Sequence, residues 1–211
     1  MLAPKGQTLL ESLLAIAVIA IGIIALITLL ISVRTTGDIA LAESQAMQLG
    51  QETIEAARFI RDSNWLKYED GQDVNYATGL RAGIDTTAMY TWDPTILDDP
   101  DAAVRFDFKA NTISDDLAVV YQDPAGYYRQ HQISTGWTPT SFRRLVTFTP
   151  VCLDATTTTE QLSPGSDCSS LPGTSEIGVQ VTVEIRWVGR GKVHDRYYEE
   201  KLYNWKYATA T

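Results

Sequence analysis

The sequence predicts an α+β protein in which one long N-terminal helix packs on a C-terminal antiparallel sheet. An apolar run without a charged residue extends from Leu13 to Val33 and continues, without a helix breaker, into a segment of helical periodicity. The last third of the chain alternates apolar and polar residues, as strands do. Because the helix and the strands form separate blocks along the chain, the α+β class is favoured.

The apolar run has the length of a membrane-spanning helix, which needs roughly 20 residues. A cleavable secretory signal has a shorter apolar region of about 7–15 residues, so this segment is expected to remain in the mature protein. Glu11 lies at the outer edge of the run. A carboxylate at membrane depth costs at least ~2.5 kcal/mol, and anchoring alone gives no reason for it. The alternative is that Glu11 lies at the headgroup level without a role.

A short leader precedes the apolar run. It carries a positive charge at Lys5, next to Gly6, and Glu11 is the fifth residue after that glycine. This combination resembles the N-terminus of the type IV prepilins, in which a membrane aspartyl protease cuts after the glycine and methylates the new first residue. The resemblance implies Gly6 and Gln7 as the processing site. Two features depart from the family pattern. Gln7 stands where Phe or Met is commoner, and this half of the helix lacks the proline that many pilins carry.

The resemblance also implies how the chain is divided. Residues 1–6 are the expected leader, 7–33 the transmembrane or filament-core helix, and 34–64 an amphipathic extension. Residues 65–211 are the expected extracytoplasmic globular domain. The protein is expected to be a bacterial single-pass membrane protein that later joins a cell-surface filament. Its expected partners are membrane lipid, the prepilin peptidase, an inner-membrane assembly platform and other pilin subunits, which it meets through the N-terminal helix.

Glu11 is the residue expected to direct assembly. After cleavage, Gln7 would carry a methylated but still cationic amine, and Glu11 would pair with that amine in its own chain or in a neighbouring subunit. A buried charge left without its partner costs ~3–5 kcal/mol. Pairing between subunits would therefore fix the axial register of the filament.

After Val33, apolar or small residues recur in steps of three and four, which predicts an amphipathic helix. The helix is expected to run from about Leu9 to about Asp62, with Ser63-Asn64 as its stop. Glycines in this helix permit either close packing or local melting during assembly, and the sequence favours neither: Gly22, Gly37 and Gly50. The residues of the predicted apolar face are Ile39, Ala42, Ala46, Leu49, Thr53, Ala56 or Ala57, and Ile60.

Residues 65–126 form an acidic insert with 12 acidic and four basic residues, in a chain of net charge -9. Such an acidic balance argues against a nucleic-acid partner, whose binding surface should be basic. Residues 75–83 and 93–100 are predicted loops. The acidic run 97–101 lacks the spacing of an EF-hand loop, so a solvated loop is favoured over a calcium site.

A sheet is predicted within residues 103–207. Asp123-Pro124-Ala125-Gly126 has the composition of a type I turn and predicts a hairpin. A tight turn at 189–191 predicts that the last two strands pair antiparallel. The predicted strand segments are an alternating run from Val104 to Phe108, then Leu117–Gln122, Tyr127–Ile133, Arg143–Val151, Ile177–Val188 and Lys192–Tyr207.

Cys152 and Cys168 are the only cysteines. Because compartments beyond the membrane are usually oxidising, a disulfide closing the intervening loop is predicted, with two reduced thiols as the alternative. The sequence has no metal-ligand spacing, no nucleotide-binding glycine loop and no nucleophile elbow. It therefore predicts no catalytic residue, no metal, no cofactor and no enzymatic activity.

These patterns favour a structural subunit, of the minor pilin type, in a type IV pilus-like filament. One alternative is a pseudopilin of a type II secretion or DNA-uptake machine, which shares the N-terminus but tends to be shorter. Another is a single-pass membrane-anchored binding domain, which would have no need of Gly6 or Glu11.

Overall fold

The computed structural model describes residues 7–80, 87–92, 104–107, 112–130 and 136–204. In these residues one long helix, α1 (Gln7–Glu69), is followed by an antiparallel sheet, which confirms the α+β class. Two short 3-10 helices, Asp116–Ala118 and Cys168–Ser170, lie between strands. The strands are β1 (Thr87–Trp92), β2 (Val104–Asp107), β3 (Val119–Gln122), β4 (Tyr128–Arg129), β5 (Thr138–Asp154), β6 (Glu160–Leu162), β7 (Thr174–Gly189) and β8 (Lys192–Tyr203).

The chain divides into two compact units, Met1–Ser44 and Gln45–Thr211. We call residues 7–44 the N-terminal helical segment and the described residues from 45 to 204 the globular unit. In the N-terminal helical segment, all side chains from Leu9 to Arg34 are exposed. The hydrophobic core therefore belongs to the globular unit, which contains the last 25 residues of α1 (45–69) and the sheet.

The apolar face predicted for the second half of α1 is confirmed from Ala46 onward. Ile39, which lies in the other unit, is 40% exposed. The buried face consists mostly of small residues, so the side chains of the sheet approach the helix closely. Gly50 shows this best, because a Cβ added there would lie 2.4 Å from Cδ2 of Tyr198 in β8. The buried helix residues are Ala46, Leu49, Gly50, Thr53, Ala56, Ala57, Ile60, Asn64 and Trp65.

The prediction that α1 stops at Ser63-Asn64 is wrong. Asn64 is buried inside the helix, and its Nδ2 donates to the backbone carbonyls of Tyr76 (3.0 Å) and Thr78 (2.8 Å). Asn64 therefore does not end the helix. Its side chain instead donates hydrogen bonds to the backbone of a loop that packs against the helix. The helix α1 ends at Glu69, and Gly71, two residues later, adopts a φ of 84°. The amides of Gly71 and Gln72 bond back to the carbonyls of Tyr68 and Lys67, both at 3.0 Å, which is a Schellman motif.

The longest strand, β5, is the centre of the sheet. One of its edges pairs with β7 along residues 142–154, and β7 pairs in turn with β8. Its other edge pairs, from the start of β5 to its end, with β3, then β1, then β6. The core-facing residues that alternate along β7 are all buried, as predicted: Val179, Val181, Val183, Ile185 and Trp187.

Both predicted turns are confirmed. The amide of Gly126 donates to the Asp123 carbonyl at 2.9 Å. The β7–β8 hairpin closes with Arg190 and Gly191 at φ values of 52° and 75°. Positive φ at both central residues is the type I′ geometry that fits the strand twist.

Some strand boundaries differ from the prediction. Leu117 lies in a 3-10 helix rather than at the start of β3, because the side chain of Asp115 caps the Leu117 amide at 3.0 Å. The short strands β1 and β6 were not predicted. Several predicted features fall outside the described residues: the loop 93–100 with its acidic run, Phe108, the end of the Tyr127–Ile133 strand, and Trp205 and Tyr207 of the last strand.

Polar contacts also join α1 to the sheet inside the globular unit. Arg144 in β5 is fully buried, and its Nη1 lies 3.2 Å from Thr53 Oγ1 and 3.4 Å from Glu52 Oε2. Its Nε donates to Oε1 of the buried Gln130 at 3.1 Å. Near the surface, both carboxylate oxygens of Glu200 in β8 accept hydrogen bonds from the guanidinium of Arg58.

Candidate assembly site

The candidate site is the start of α1 around Glu11. Gly6 lies outside the described residues, and α1 begins at Gln7. Glu11 follows four residues later and is exposed, as are the leucines around it. Residues four apart lie on the same face of a helix, so the backbone places Glu11 one turn beyond Gln7. Leu10 and Leu14 are 70% and 65% exposed, so the carboxylate lies within an apolar surface.

Between Ser12 and Arg34, the only polar side chains of α1 are the hydroxyls of Thr28 and Ser32. Residues 13–33 carry no charge. The Thr28 hydroxyl donates to the Ile24 carbonyl of its own helix at 2.9 Å. The segment 7–33 rises about 40 Å at 1.5 Å per residue, which exceeds the ~30 Å hydrocarbon core of a bilayer. Within the described part of the chain, α1 is the one helix that is long and apolar enough to cross a membrane.

The glycines of α1 fall into two kinds. A Cβ added at Gly22 or Gly37 meets no atom within 4 Å, whereas at Gly50 it would overlap Tyr198. Gly50 therefore serves close packing inside the globular unit. Gly22 and Gly37 leave open surface on the N-terminal helical segment, where another helix has room to approach.

Cys152 and Cys168 form the predicted disulfide, with Cα atoms 5.8 Å apart. It closes a loop that contains β6 and ends at Cys168, the first residue of the second 3-10 helix. Inside the loop, Asp167 caps that helix through the Ser169 amide at 2.9 Å. Lys201 in β8 lies 2.7 Å from Oε2 of Glu160 in β6. That hydrogen bond, with a second one from the Tyr203 hydroxyl at 3.0 Å, holds the pKa of Glu160 below its ordinary value.

The globular unit offers little else that resembles a reactive or binding site. Among the described residues, no group of three or more His, Cys, Asp or Glu side chains is placed to hold a metal ion. An open cavity of about 280 Å³ lies between the helix at Gln48 and Glu52 and the β3–β4 turn. His194 stacks on Trp187 with ring centroids 5.1 Å apart.

Comparison with known proteins found no matching family model, no matching curated protein and no matching solved structure.

Sequence reasoning missed two residues that organise the globular unit, Arg144 and Asn64. Arg144 shares its alternation with Phe142, Val146 and Phe148, which are buried on the core face of β5. This alternation was visible in the sequence and could have indicated a buried guanidinium. The role of Asn64 depends on a loop 12–14 residues later, and no local signal reveals it.

Proposed function

We propose that this protein is a structural subunit, of the minor pilin type, in a type IV pilus-like filament. The observation that carries the proposal is the apolar first half of α1, which is exposed along its length and contains one carboxylate, Glu11, four residues after Gln7. A globular unit follows that packs the second half of the same helix on its own sheet. This division supplies one surface for lipid or other subunits and one self-contained folded body.

Large exposed apolar surface requires a partner, because each Å² transferred out of water contributes roughly 25 cal/mol. Before assembly, lipid covers the helix. In a filament, neighbouring helices replace the lipid, and Glu11 then leaves the polar headgroup region. Its carboxylate needs a cation, and an N-terminal amine at Gln7 is the nearest one that processing would create.

Processing is tested first, by mass spectrometry of the mature N-terminus. A chain that begins at methylated Gln7 supports the proposal. The Gly6→Leu variant should remain as full-length precursor, because glycine gives the protease a backbone without side-chain hindrance. Ala3→Leu, a matched change inside the leader, should be cut normally. A wild-type chain that keeps its leader would favour the membrane-anchored binding domain instead.

Assembly is tested with Glu11→Gln, which removes the charge and keeps the shape of the side chain. We expect normal processing and at least a hundredfold less incorporation into filaments, the ratio given by a ~3–5 kcal/mol loss. Glu43→Gln changes an exposed carboxylate further along α1 and serves as the control. Incorporation of processed Glu11→Gln at the wild-type level would remove the register role of Glu11.

A further inference from the structure

If the chain is cut after Gly6, a free α-amine and a side-chain amide stand in the same residue, Gln7. Its side chain ends in a carboxamide, unlike the Phe or Met that is commoner at this position in prepilins. Because α1 begins at Gln7, its main-chain nitrogen is among the first four, which have no acceptor inside the helix. We propose that Gln7 is a self-modification site at which the α-amine of a processed subunit attacks the side-chain amide and forms pyroglutamate. This inference rests on the proposed cleavage between Gly6 and Gln7, which alone creates a free amine there.

The step balances without a further reactant. The α-nitrogen forms a bond to the side-chain carbonyl carbon Cδ, and the bond from Cδ to Nε2 breaks. Nε2 leaves as ammonia and takes the proton that the amine gives up, so nothing is oxidised or reduced. All atoms of the five-membered ring come from Gln7, so the fold need not position a neighbouring group. A singly methylated amine keeps one N–H and yields the N-methyl lactam in the same way.

Cyclisation changes the charge balance of the helix start. The lactam is neutral, and the leader with Lys5 has been removed, so the first positive charge in the chain is Arg34. Arg34 lies 23 residues after Glu11, about 35 Å along a helix. A cyclised subunit therefore supplies no cation near Glu11, either to its own carboxylate or to that of a neighbouring subunit, and is excluded from a buried filament core.

Incorporation into a filament, in turn, protects Gln7 from cyclisation. Only the unprotonated amine attacks, and a carboxylate next to an amine stabilises the protonated form. Pairing with Glu11 in the filament therefore keeps Gln7 open. Cyclisation then acts on subunits that remain in the membrane and withdraws them from assembly.

The test measures the free amine at Gln7 in the full-length chain, in separate membrane and filament fractions. Amines are labelled on the intact protein before digestion, so cyclisation during later handling is not counted. Mass spectrometry of the peptide 7–34 separates labelled open chains from unlabelled chains that have lost ammonia. During a chase without new synthesis, the cyclised share should increase in the membrane and stay at least about tenfold lower in filaments. Gln7→Met has no side-chain amide and should remain labelled throughout.

The outcomes distinguish a failure of the proposed cyclisation of Gln7 from a failure of the proposed cleavage after Gly6. A membrane pool in which Gln7 stays labelled to the end of the chase overturns the self-modification and leaves the proposed cleavage intact. Equal cyclised shares in both fractions overturn the protection by assembly. Peptides that still contain the leader, 1–34, in both fractions would overturn the cleavage and the self-modification together.

Discussion

The two halves of α1 use apolar residues in opposite ways. From Leu9 to Val33 the helix carries large aliphatic side chains, and each of those is at least half exposed. From Ala46 to Ile60 the buried face is built largely of alanine, glycine and threonine, and the sheet covers it. Bulky residues thus occur where the helix surface is exposed, and small residues where the sheet covers the helix.

The comparison implies that the two halves contribute unequally to the stability of the globular unit. Trp65 and Trp187 are buried in that unit, so tryptophan fluorescence during urea unfolding of the full chain in detergent reports on its free energy of unfolding. Variants placed in one half of α1 or in the globular unit test this inequality.

The largest expected effect comes from the same substitution made in both regions. Ile185→Ala removes a fully buried side chain and should lower the free energy of unfolding by about 2–5 kcal/mol. Ile27→Ala, at a position that is 51% exposed, should leave it unchanged. Equal losses in the two variants would show that the N-terminal helical segment belongs to the same cooperative unit.

Removal of the disulfide should rank next. Cys152 and Cys168 are 16 residues apart, and closing a loop of that size contributes about 3 kcal/mol in the chain-entropy model. The double variant Cys152→Ser, Cys168→Ser should lose about that amount in urea unfolding. A reducing agent should lower the stability of the wild type equally and leave the variant unchanged. Two free thiols in unreduced, unfolded wild-type protein would contradict the disulfide itself.

Gly37 and Gly50 of α1 give a finer test of the difference between its exposed part and the part that packs on the sheet. Gly50→Ala gains up to about 1 kcal/mol of helix propensity but pushes a Cβ into the Tyr198 ring, and such overpacking costs about 1–3 kcal/mol. We expect a net loss of about 1 kcal/mol in urea unfolding. Gly37→Ala meets open space and should not destabilise the globular unit. In a double-mutant cycle, Tyr198→Ala should remove the penalty at Gly50, and a penalty that persists would rule out the ring as its cause.

Sequence patterns predicted most of the elements because local chemistry dictates them. The helical face from Ala46 to Ile60 and the alternation along β7 follow from the periodicity of residues that share one core. The turn at Asp123–Gly126 follows from residues that favour its dihedral angles. The misread stop at Ser63-Asn64 has the opposite cause, because a distant loop uses the Asn64 side chain.

The short strand β6 escaped prediction for a related reason. β6 has three residues, all exposed, and pairs with the end of β5. Its sequence, Glu160-Gln161-Leu162, has no apolar alternation to detect.

For the candidate site, the sequence pattern indicated Gly6, Gln7 and Glu11, and the structure adds the exposure of Glu11 and the start of the helix. The pairing proposed for Glu11 involves an amine that only processing would create, so neither the sequence nor the structure of this chain gives its geometry.

The smallest expected effect is a pH dependence confined to the globular unit. Hydrogen bonds from Lys201 and then Tyr203 lower the folded-state pKa of Glu160 below the ordinary 4.5. A carboxylate with a lowered folded pKa contributes stability above the unfolded pKa, and this contribution is lost as the pH falls through the folded pKa. Glu160→Gln should therefore be less stable than the wild type at neutral pH.

The difference should shrink below pH 4.5, where the wild-type carboxylate takes up its proton. Because Glu160 and Lys201 are both more than a third exposed, the effect is small and should weaken further in high salt. Glu199→Gln removes an exposed carboxylate from the neighbouring part of β8 and is the matched control. Urea unfolding of the three proteins across this pH range measures the effect. A Glu160→Gln difference that stayed constant through the acid range would mean that packing of the β6 loop, rather than the charge on Glu160, holds the loop against β8.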